Sequence, residues 1–219
     1  MLEPNWEYSN PIANVEEKKV YEFFKRIMDL VGSILGLVVL SPIFLVLAII
    51  VKIDSPGPVF FAHKRLGHNG KLMKIYKFRT MVINAEELLN NLSPEQKEEF
   101  ARNFKLENDP RITKVGNFLR KSSLDELPQL LNILKGELSI VGPRPIVEKE
   151  IKNYGIYSEK LLTVKPGLTG NWQANGRSDT TYEERVEMDM QYIDNRSIWL
   201  DIKIIFKTFS AVIKKQGAR

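Results

Sequence analysis

The longest apolar segment of the chain runs from Leu30 to Val51 and contains no charged side chain. At helical rise, a segment of this length can cross the hydrocarbon core of a bilayer. Ser41-Pro42 interrupts it near the middle. A proline at that position removes a backbone donor and clashes with the preceding turn. The pattern therefore predicts a membrane helix that is sharply bent or broken at Ser41 and Pro42.

Basic residues flank this segment on both sides, with Lys25 and Arg26 before it and Lys52, Lys64 and Arg65 after it. Because cytoplasmic flanks of membrane helices are enriched in Lys and Arg, both ends look cytoplasmic. A helix that enters the bilayer, turns at the break and returns to the same face satisfies both flanks, and the Ser41 hydroxyl can bond a carbonyl freed by the proline. We therefore favour a re-entrant helix over a kinked spanning helix. A cleaved signal peptide is disfavoured because the segment is too long, starts too late and lacks a small-residue cleavage site.

The remaining pattern predicts a mostly helical α+β protein. Val59–Ala62 and Leu72–Phe78 read as strands of a small β-hairpin turned at Gly67 and Asn69-Gly70. Helices are expected over residues 84–91, 93–104, 115–120 and 122–136, from Thr180 or Thr181 onward, and over 197–215. The predicted organisation is a mobile segment (1–19), an interfacial and re-entrant helix (20–54) and one cytoplasmic domain (55–219).

The last predicted helix is amphipathic and basic. Ile198, Ile202, Ile205, Phe209 and Val212 form its apolar stripe, and lysines form another stripe. A helix of this kind is typical of a membrane surface, and packing against the protein core is the alternative.

Composition and net charge limit the kinds of partner that this protein is expected to bind. The net charge of +5 and the pI of about 9.2 suit a partner that carries phosphates: an anionic lipid, a nucleotide or a nucleic acid. Nucleic acid is the weakest of these, because the cations are spread through loops without a stacking platform or recognition helix. The absence of cysteine excludes thiol nucleophiles, disulfides and cysteine zinc sites. His63 and His68 have poor spacing for a metal pair.

Asp125 and Glu126 are the candidate catalytic residues. They lie at or just before the start of the helix predicted over 122–136, ahead of Pro128. The dipole of that helix favours anions and would keep Asp125 ionised. A structural explanation exists for the glutamate, because Ser123 and Glu126 have the spacing of a capping box. It does not account for Asp125.

Several loops supply further candidates. Pro143-Arg144-Pro145 is a rigid turn that displays one arginine, and Lys77 and Arg79 stand at the end of a strand. Residues 164–177 are rich in Gly and Pro and could wrap a ligand with backbone donors, Gln173 and Arg177.

Several motifs together resemble the bacterial sugar transferases, monotopic polyprenyl-phosphate phosphoglycosyl transferases that start exopolysaccharide, capsule, O-antigen or glycan assembly. The likeness runs in order from about Val20 to Ala218. The motifs are the membrane segment with Ser41-Pro42, KFRTM (77–81), DPRIT (109–113), FLRKSSLDELPQLLNILKGELSIVGPRP (118–145) and PGLTGNWQANGR (166–177).

The resemblance implies roles for individual residues. Asp125 would be the nucleophile that takes a sugar-1-phosphate from a UDP-sugar, releases UMP and forms an acyl phosphate, which undecaprenyl phosphate then resolves. Glu126, together with Asp125, would bind Mg²⁺. Arg120, Arg144 and Arg177 match arginines expected at the transferring phosphoryl group, with Lys77, Arg79, Arg111 and Gln173 as further substrate contacts. The tail favours a hexose donor such as galactose or glucose.

The same resemblance implies an enzyme on the cytoplasmic face of the bacterial inner membrane, and leaves homo-oligomerisation open. Many members of this type carry an additional N-terminal bundle of membrane helices, so we expect this chain to be the minimal catalytic unit. Three other interpretations stay open. A glycosyltransferase would release UDP, a membrane-tethered hydrolase would use water as acceptor, and a non-enzymatic adaptor for acidic partners would tolerate Asp125→Asn.

Overall fold

A computed structural model describes residues 18–103, 106, 109–176 and 180–213, which form the mostly helical α+β structure expected from the sequence. Nearly all of the predicted mobile segment, and Arg177, lie outside the described residues. The helices are Lys19–Val39 (α1), Ser41–Asp54 (α2), Ala85–Asn90 (α3), Pro94–Asn103 (α4), Lys114–Ser122 (α5), Gln129–Lys135 (α6), Ser158–Leu162 (α7), Asn171–Asn175 (α8), Tyr182–Asn195 (α9) and Ile198–Ile213 (α10), and the strands are Phe60–Leu66 (β1), Leu72–Phe78 (β2), Ser139–Val141 (β3) and Gly167–Thr169 (β4).

The apolar segment is broken where the sequence predicts. α1 and α2 meet at Leu40 and are bent by 62° relative to each other. The Ser41 hydroxyl donates to the Val38 carbonyl at 2.8 Å, the carbonyl that loses its helical partner because Pro42 has no N–H. Among the described residues, neither helix is long and apolar enough to span a membrane by itself, and the bent pair meets that test together.

Both arms of the bent pair pack against the same domain. Lys25, in the second turn of α1, binds Asp201 of α10, and Val51, near the end of α2, packs with Phe78 and Leu119. A straight crossing would place these arms on opposite sides of the bilayer, so the arrangement fits the re-entrant prediction. Most side chains that face outward from the pair are apolar, and the charged exceptions Lys19, Glu22 and Lys52 lie near its two ends. The apolar ones include Val20, Phe23, Phe24, Val31, Leu35, Val38, Val39, Leu45, Val46, Ile49 and Ile53.

A polar stripe on α1 faces the protein. Tyr21, Lys25, Asp29 and Ser33 recur at a spacing of four residues and are all buried. The Asp29 carboxylate accepts hydrogen bonds from the Ser139 hydroxyl at 3.0 Å and from the Ile140 N–H at 2.8 Å. α1 therefore has its polar side inward and its apolar side outward, the reverse of a surface helix of a soluble protein.

The predicted hairpin is present, and its first strand is longer than predicted. β1 and β2 pair antiparallel from Phe60 opposite Phe78 to Leu66 opposite Leu72. Asn69 and Gly70 take positive φ in the turn, as the Asn-Gly signal suggests. The buried Asn132 side chain fixes the hairpin to α6, because it accepts from Tyr76 N–H at 3.0 Å and donates to the Lys74 carbonyl at 2.7 Å.

The Gly- and Pro-rich stretch 164–177 contains regular structure that the sequence did not indicate. Gly167–Thr169 forms β4, which pairs in parallel with β3, and α8 follows. Gly142 and Gly167 permit this contact, since a Cβ on Gly167 would lie 2.1 Å from the Gly142 nitrogen.

The single helix predicted over 122–136 is wrong. α5 ends at Ser122, Ser123 adopts φ 57°, Leu124–Glu126 forms a short 3₁₀ turn, and α6 begins only after Pro128. The left-handed residue reverses the chain, and the proline cannot donate to the preceding turn. The predicted stop at Gly136 is confirmed by its φ of 80°.

The C-terminal helix α10 is rotated relative to the predicted stripe, of which Ile198, Ile202 and Ile205 are half-buried and Ile205 packs against the core. Asp201, Ile204 and Ala211 are buried, whereas Phe209 of the predicted stripe is exposed together with Trp199 and Phe206. The buried aspartate sets this rotation, because it must reach Lys25 and Tyr192. α10 is therefore partly a core helix, and it also presents aromatic side chains outward.

Cysteine labelling tests the re-entrant topology. The chain has no native cysteine, so single variants Lys19→Cys, Val39→Cys and Lys71→Cys give unambiguous labelling. We expect a membrane-impermeant maleimide to modify positions 19 and 71 from the same side in oriented vesicles, and to leave position 39 at the bend unmodified. Labelling of positions 19 and 71 from opposite sides would establish a spanning helix instead.

Asp201→Ala tests the docking of α1. Asp201 accepts from Lys25 Nζ at 2.7 Å, Tyr21 Oη at 3.0 Å and Tyr192 Oη at 2.8 Å. Removal of the carboxylate leaves a buried ammonium without its partner, so we expect a loss of about 3–5 kcal/mol, measured as a lower Tm in detergent. The double variant Lys25→Met/Asp201→Leu should recover much of this loss. A Tm of Asp201→Ala equal to that of the wild type would show that the pair does not hold the helix.

Candidate active site

The two candidate carboxylates lie next to each other on the short 3₁₀ turn Leu124–Glu126, between α5 and α6. The Asp125 side chain is 9% exposed and the Glu126 side chain 22% exposed. The capping-box explanation of the glutamate does not hold, because the Ser123 side chain makes no capping hydrogen bond. Both carboxylates are therefore available for chemistry.

Lys77, at the end of β2, lies between the two carboxylates. Its Nζ is 2.6 Å from Glu126 Oε1 and 3.4 Å from Asp125 Oδ2. Position 77 belongs to the strand that Asn132 ties to α6, so the hairpin holds the Lys77 backbone in a fixed position relative to the acid pair. The positive charge of Lys77 offsets the repulsion between the two carboxylates and so allows them to lie close together.

The pKa values of the two acids are driven apart. Burial raises the pKa of Asp125, and the charge of Glu126 adds to this, while Lys77 and Arg120 oppose it. Burial also acts to raise the pKa of Glu126, but the charges of Lys77 and Arg144 and hydrogen bonds from Lys77 and Gln129 bring it below its usual value. Glu126 is thus the more firmly ionised of the two.

Arg120 approaches Asp125 from α5. Its Nε donates to the Thr80 hydroxyl at 2.9 Å, and its charge acts on the Asp125 carboxylate. Gly116 allows α5 to lie this close, because a Cβ there would be 2.0 Å from the Thr80 carbonyl oxygen. Burial lowers the pKa of Arg120.

Arg144 approaches Glu126 from the other side. Its Nη1 lies 3.8 Å from Glu126 Oε1, with the side chain 36% exposed. Arg144 and Lys77 line a small cleft beside Glu126, together with Arg65, Ile75, Gln129, Pro145, Gly167 and Leu168. The structure thus brings Lys77, Arg120 and Arg144 to the two carboxylates.

The remaining predicted cations have other partners in the structure. The buried guanidinium of Arg79 bonds Ser55 through its hydroxyl and its carbonyl, the latter at 2.8 Å, and also the Pro58 carbonyl at 2.5 Å. Arg111 forms a bidentate pair with Asp109 at 2.8 and 2.7 Å. Gln173 is buried on α8, which packs against α9 and α10.

The residues present fit a magnesium ion that is bound mainly through its substrate. No group of three or more metal-ligating side chains occurs in the described part of the chain. Mg²⁺ in nucleotide sites is commonly held by one or two carboxylates together with phosphates and water. Glu126 offers an ionised carboxylate beside Asp125, and the ammonium of Lys77 at 2.6 Å shows that its Oε1 faces a position suited to a cation.

Sequence reasoning missed two neighbours of the acid pair. Gln129 hydrogen-bonds Glu126, and Arg65 lines the cleft next to Arg144. Gln129 lies in the middle of the helix predicted over 122–136, where nothing in the sequence marks it as a partner of Glu126. Side chains alternate between the two faces of β1, and the antiparallel register places Arg65 on the same face as Ile75 and Lys77. This alternation is the signal that could have identified Arg65.

Comparison with known proteins gives similarity over nearly the whole chain. The family model described as bacterial sugar transferase matches residues 20–215. The chain is 47% identical to undecaprenyl-phosphate galactose phosphotransferase of Salmonella typhimurium, over 94% of this chain and 44% of that protein. It is 48% identical to exopolysaccharide production protein ExoY of Sinorhizobium fredii, over 89% of this chain and 87% of that protein.

A further relative is UDP-glucose:undecaprenyl-phosphate glucose-1-phosphate transferase of Escherichia coli, 41% identical over 95% of this chain and 43% of that protein. The chain therefore spans less than half the length of some relatives and nearly the full length of others. The matched region includes both arms of the bent helix pair and every residue around the acid pair. On this similarity, the chain belongs to the bacterial sugar transferase family.

Proposed function

We propose that this protein transfers a sugar-1-phosphate from a UDP-sugar to undecaprenyl phosphate and releases UMP. The observation that carries the proposal is the buried Asp125, placed beside an ionised glutamate and contacted by Lys77 at 3.4 Å. A carboxylate that attacks a diphosphate needs cations at the transferring phosphoryl group. Lys77 and Arg120 act on Asp125, and Arg144 lies 3.8 Å from the adjacent Glu126. The names of relatives that act on undecaprenyl phosphate support the same chemistry.

In the first step, an Asp125 carboxylate oxygen attacks the β-phosphorus of the UDP-sugar. A phosphorus–oxygen bond forms to Asp125 as the bond from that phosphorus to the bridging oxygen breaks, and UMP leaves with the electron pair. The product is a mixed anhydride between Asp125 and the sugar phosphate. Lys77 and Arg120 are placed to offset the charge that spreads over the phosphoryl oxygens.

In the second step, a phosphate oxygen of undecaprenyl phosphate attacks the same phosphorus. The bond to Asp125 breaks, the carboxylate is restored, and the sugar is left on undecaprenyl diphosphate. The attacking oxygen is already anionic, so this step requires no general base. A single nucleophile thus serves a water-soluble donor and a lipid acceptor in turn.

Mg²⁺ held by Glu126 and the donor phosphates would neutralise charge on the diphosphate. Lys77 must then leave Glu126, and its flexible side chain permits it to move to a phosphate oxygen. Gln129 keeps its hydrogen bond to Glu126 and so holds the carboxylate in place.

The bent helix pair suits this reaction. It would hold the domain on the cytoplasmic face of the bacterial inner membrane, with the acid pair at headgroup depth, where the lipid phosphate and the soluble nucleotide meet. Relatives named for galactose and glucose transfer support a hexose donor and a role in the first membrane step of exopolysaccharide or related glycan synthesis.

Asp125→Asn tests the covalent mechanism. The amide keeps the shape of the side chain but cannot form the anhydride, so we expect UMP release to fall at least about a thousandfold. The assay is nucleotide release by detergent-purified protein with Mg²⁺, undecaprenyl phosphate and UDP-galactose or UDP-glucose. Asp194→Asn, the same change at an exposed site, is the matched control. UDP as the product would indicate a glycosyltransferase, UMP release retained by Asp125→Asn would indicate another nucleophile, and no nucleotide release by the wild type would indicate an adaptor.

Glu126→Gln tests the metal role. Loss of the ionised ligand should raise the Mg²⁺ concentration for half-maximal UMP release by at least about tenfold, because one charged ligand of a weakly chelated ion is gone. The exposed Glu148→Gln is the control. An unchanged Mg²⁺ requirement in Glu126→Gln would remove this residue from the metal site.

A further inference from the structure

Two cations, Arg65 and Lys77, lie on one face of the hairpin. The register places Arg65 opposite Met73, His63 opposite Ile75 and Phe61 opposite Lys77. Directly opposite residues share a face, so Arg65, His63 and Lys77 point to the same side of the sheet as the buried Ile75. Lys77 is already part of the acid site, which makes this face the wall of the cleft.

Arg65 is fixed next to the turn that carries Arg144. The Leu66 N–H donates to the Ile146 carbonyl at 2.8 Å, which ties the end of β1 to residues 143–146. The Arg65 side chain is 23% exposed, and its Nη1 lies 3.3 Å from Glu150 Oε2. Arg65 and Arg144 both line the cleft, and burial together with the nearby charge of Arg144 lowers the pKa of Arg65.

Glu150 only partly balances these cations. Its Oε2 accepts from the Val147 N–H at 2.9 Å, and its Oε1 lies 3.7 Å from Arg185. One carboxylate is therefore shared between two arginines and a backbone donor. The cleft between Arg65 and Arg144 has the charge and the forked donors that suit a phosphate.

The order of contacts distinguishes the cations from one another. Lys77 touches both carboxylates, Arg144 reaches Glu126, and Arg65 lines the same cleft with Glu150 as its carboxylate partner. In a diphosphate, the phosphorus under attack must approach Asp125, so the other phosphate must lie farther along the cleft. Among the described cations that line the cleft, Arg65 is the one without an ion pair to Asp125 or Glu126, which suits it to that second phosphate.

We infer that Arg65 binds the α-phosphate of the nucleotide, the group that leaves as UMP. This assignment rests on the proposed function and adds a residue to it. The cleavage step places new negative charge on that phosphate, so a fixed guanidinium there both binds the donor and stabilises the leaving group. After the cleavage step, Arg65 remains in contact with the phosphate of the product UMP.

Direct binding of UMP tests the inference without turnover. Isothermal titration of purified protein in detergent with UMP should show binding at least tenfold weaker for Arg65→Gln than for the wild type, with partial recovery in Arg65→Lys. Lys64→Gln removes the same charge from the neighbouring residue, which faces the opposite side of the hairpin and is exposed, and should bind UMP like the wild type. Uridine, which lacks the phosphate, should show no difference among these proteins.

Glu150→Gln separates binding from folding. Arg65→Gln leaves Glu150 without one partner, so a general loss of structure would weaken uridine binding and lower Tm as well. Glu150→Gln disrupts the same ion pair but keeps Arg65, and it should retain UMP binding. If Arg65→Gln binds UMP as tightly as the wild type, or if Lys64→Gln loses as much, the assignment is wrong.

The result is separable from the transferase proposal. If UMP binding depends on Arg65 but the protein transfers no sugar phosphate, the nucleotide site is supported and the proposed reaction is wrong. If the protein transfers sugar phosphate but its affinity for UMP does not depend on Arg65, the reaction is supported and the role of Arg65 is wrong. In turnover, Arg65→Gln should raise KM for the UDP-sugar and leave KM for undecaprenyl phosphate unchanged.

Discussion

The structure depends on the polar side chains that α1 buries against the domain. Lys25 forms an ion pair with Asp201. Asp29 accepts hydrogen bonds from Ser139 and Ile140. Their burial is tolerated because each finds a partner. The opposite side of the same helix is apolar and exposed. These two requirements fix the rotation of α1, since only one orientation pairs the charges with protein and the apolar side with lipid.

The same helix also reaches the elements that carry the acid pair. The Arg26 guanidinium donates to the carbonyls of Ile133 and Leu134 at 2.7 and 2.9 Å, near the C-terminal end of α6. Cations are favourable at helix C-termini. Asp125 and Glu126 stand just ahead of the other end of α6. The depth of the membrane helix and the position of the carboxylates are therefore linked through one short helix.

Local signals in the sequence predicted much of this arrangement. Ser41-Pro42 marks the break, Asn69-Gly70 the hairpin turn and Gly136 the helix stop, because each acts through its own backbone. Two predictions failed for different reasons. Ser123 takes a left-handed conformation inside an apparently helical sequence, and serine is not a residue type that signals this conformation. β4 depends on a distant partner, because it forms only where Gly142 and Gly167 let two remote segments touch.

The site residues follow the same division. The acid pair and Lys77, Arg120 and Arg144 could be named from motifs, and the structure brings them together. The motifs also include Arg79 and Arg111, which the structure pairs with backbone carbonyls and with Asp109. A motif records that a residue type is required, but it does not distinguish substrate binding from structural support. That distinction needs the contacts, which the sequence does not contain.

Arg79 contacts α2, and Lys77, two residues away in sequence, contacts the acid pair. Arg79 binds carbonyls at the end of α2 and just beyond, while Lys77, two residues earlier on the same segment, contacts both carboxylates. A shift of α2 in the membrane would move Arg79, and β2 would transmit that shift to Lys77. The bent helix pair and Lys77 are therefore connected through Arg79. The proposed transfer of a sugar phosphate from a soluble nucleotide to a lipid phosphate needs such a connection, because the donor and the lipid must reach one aspartate at one depth.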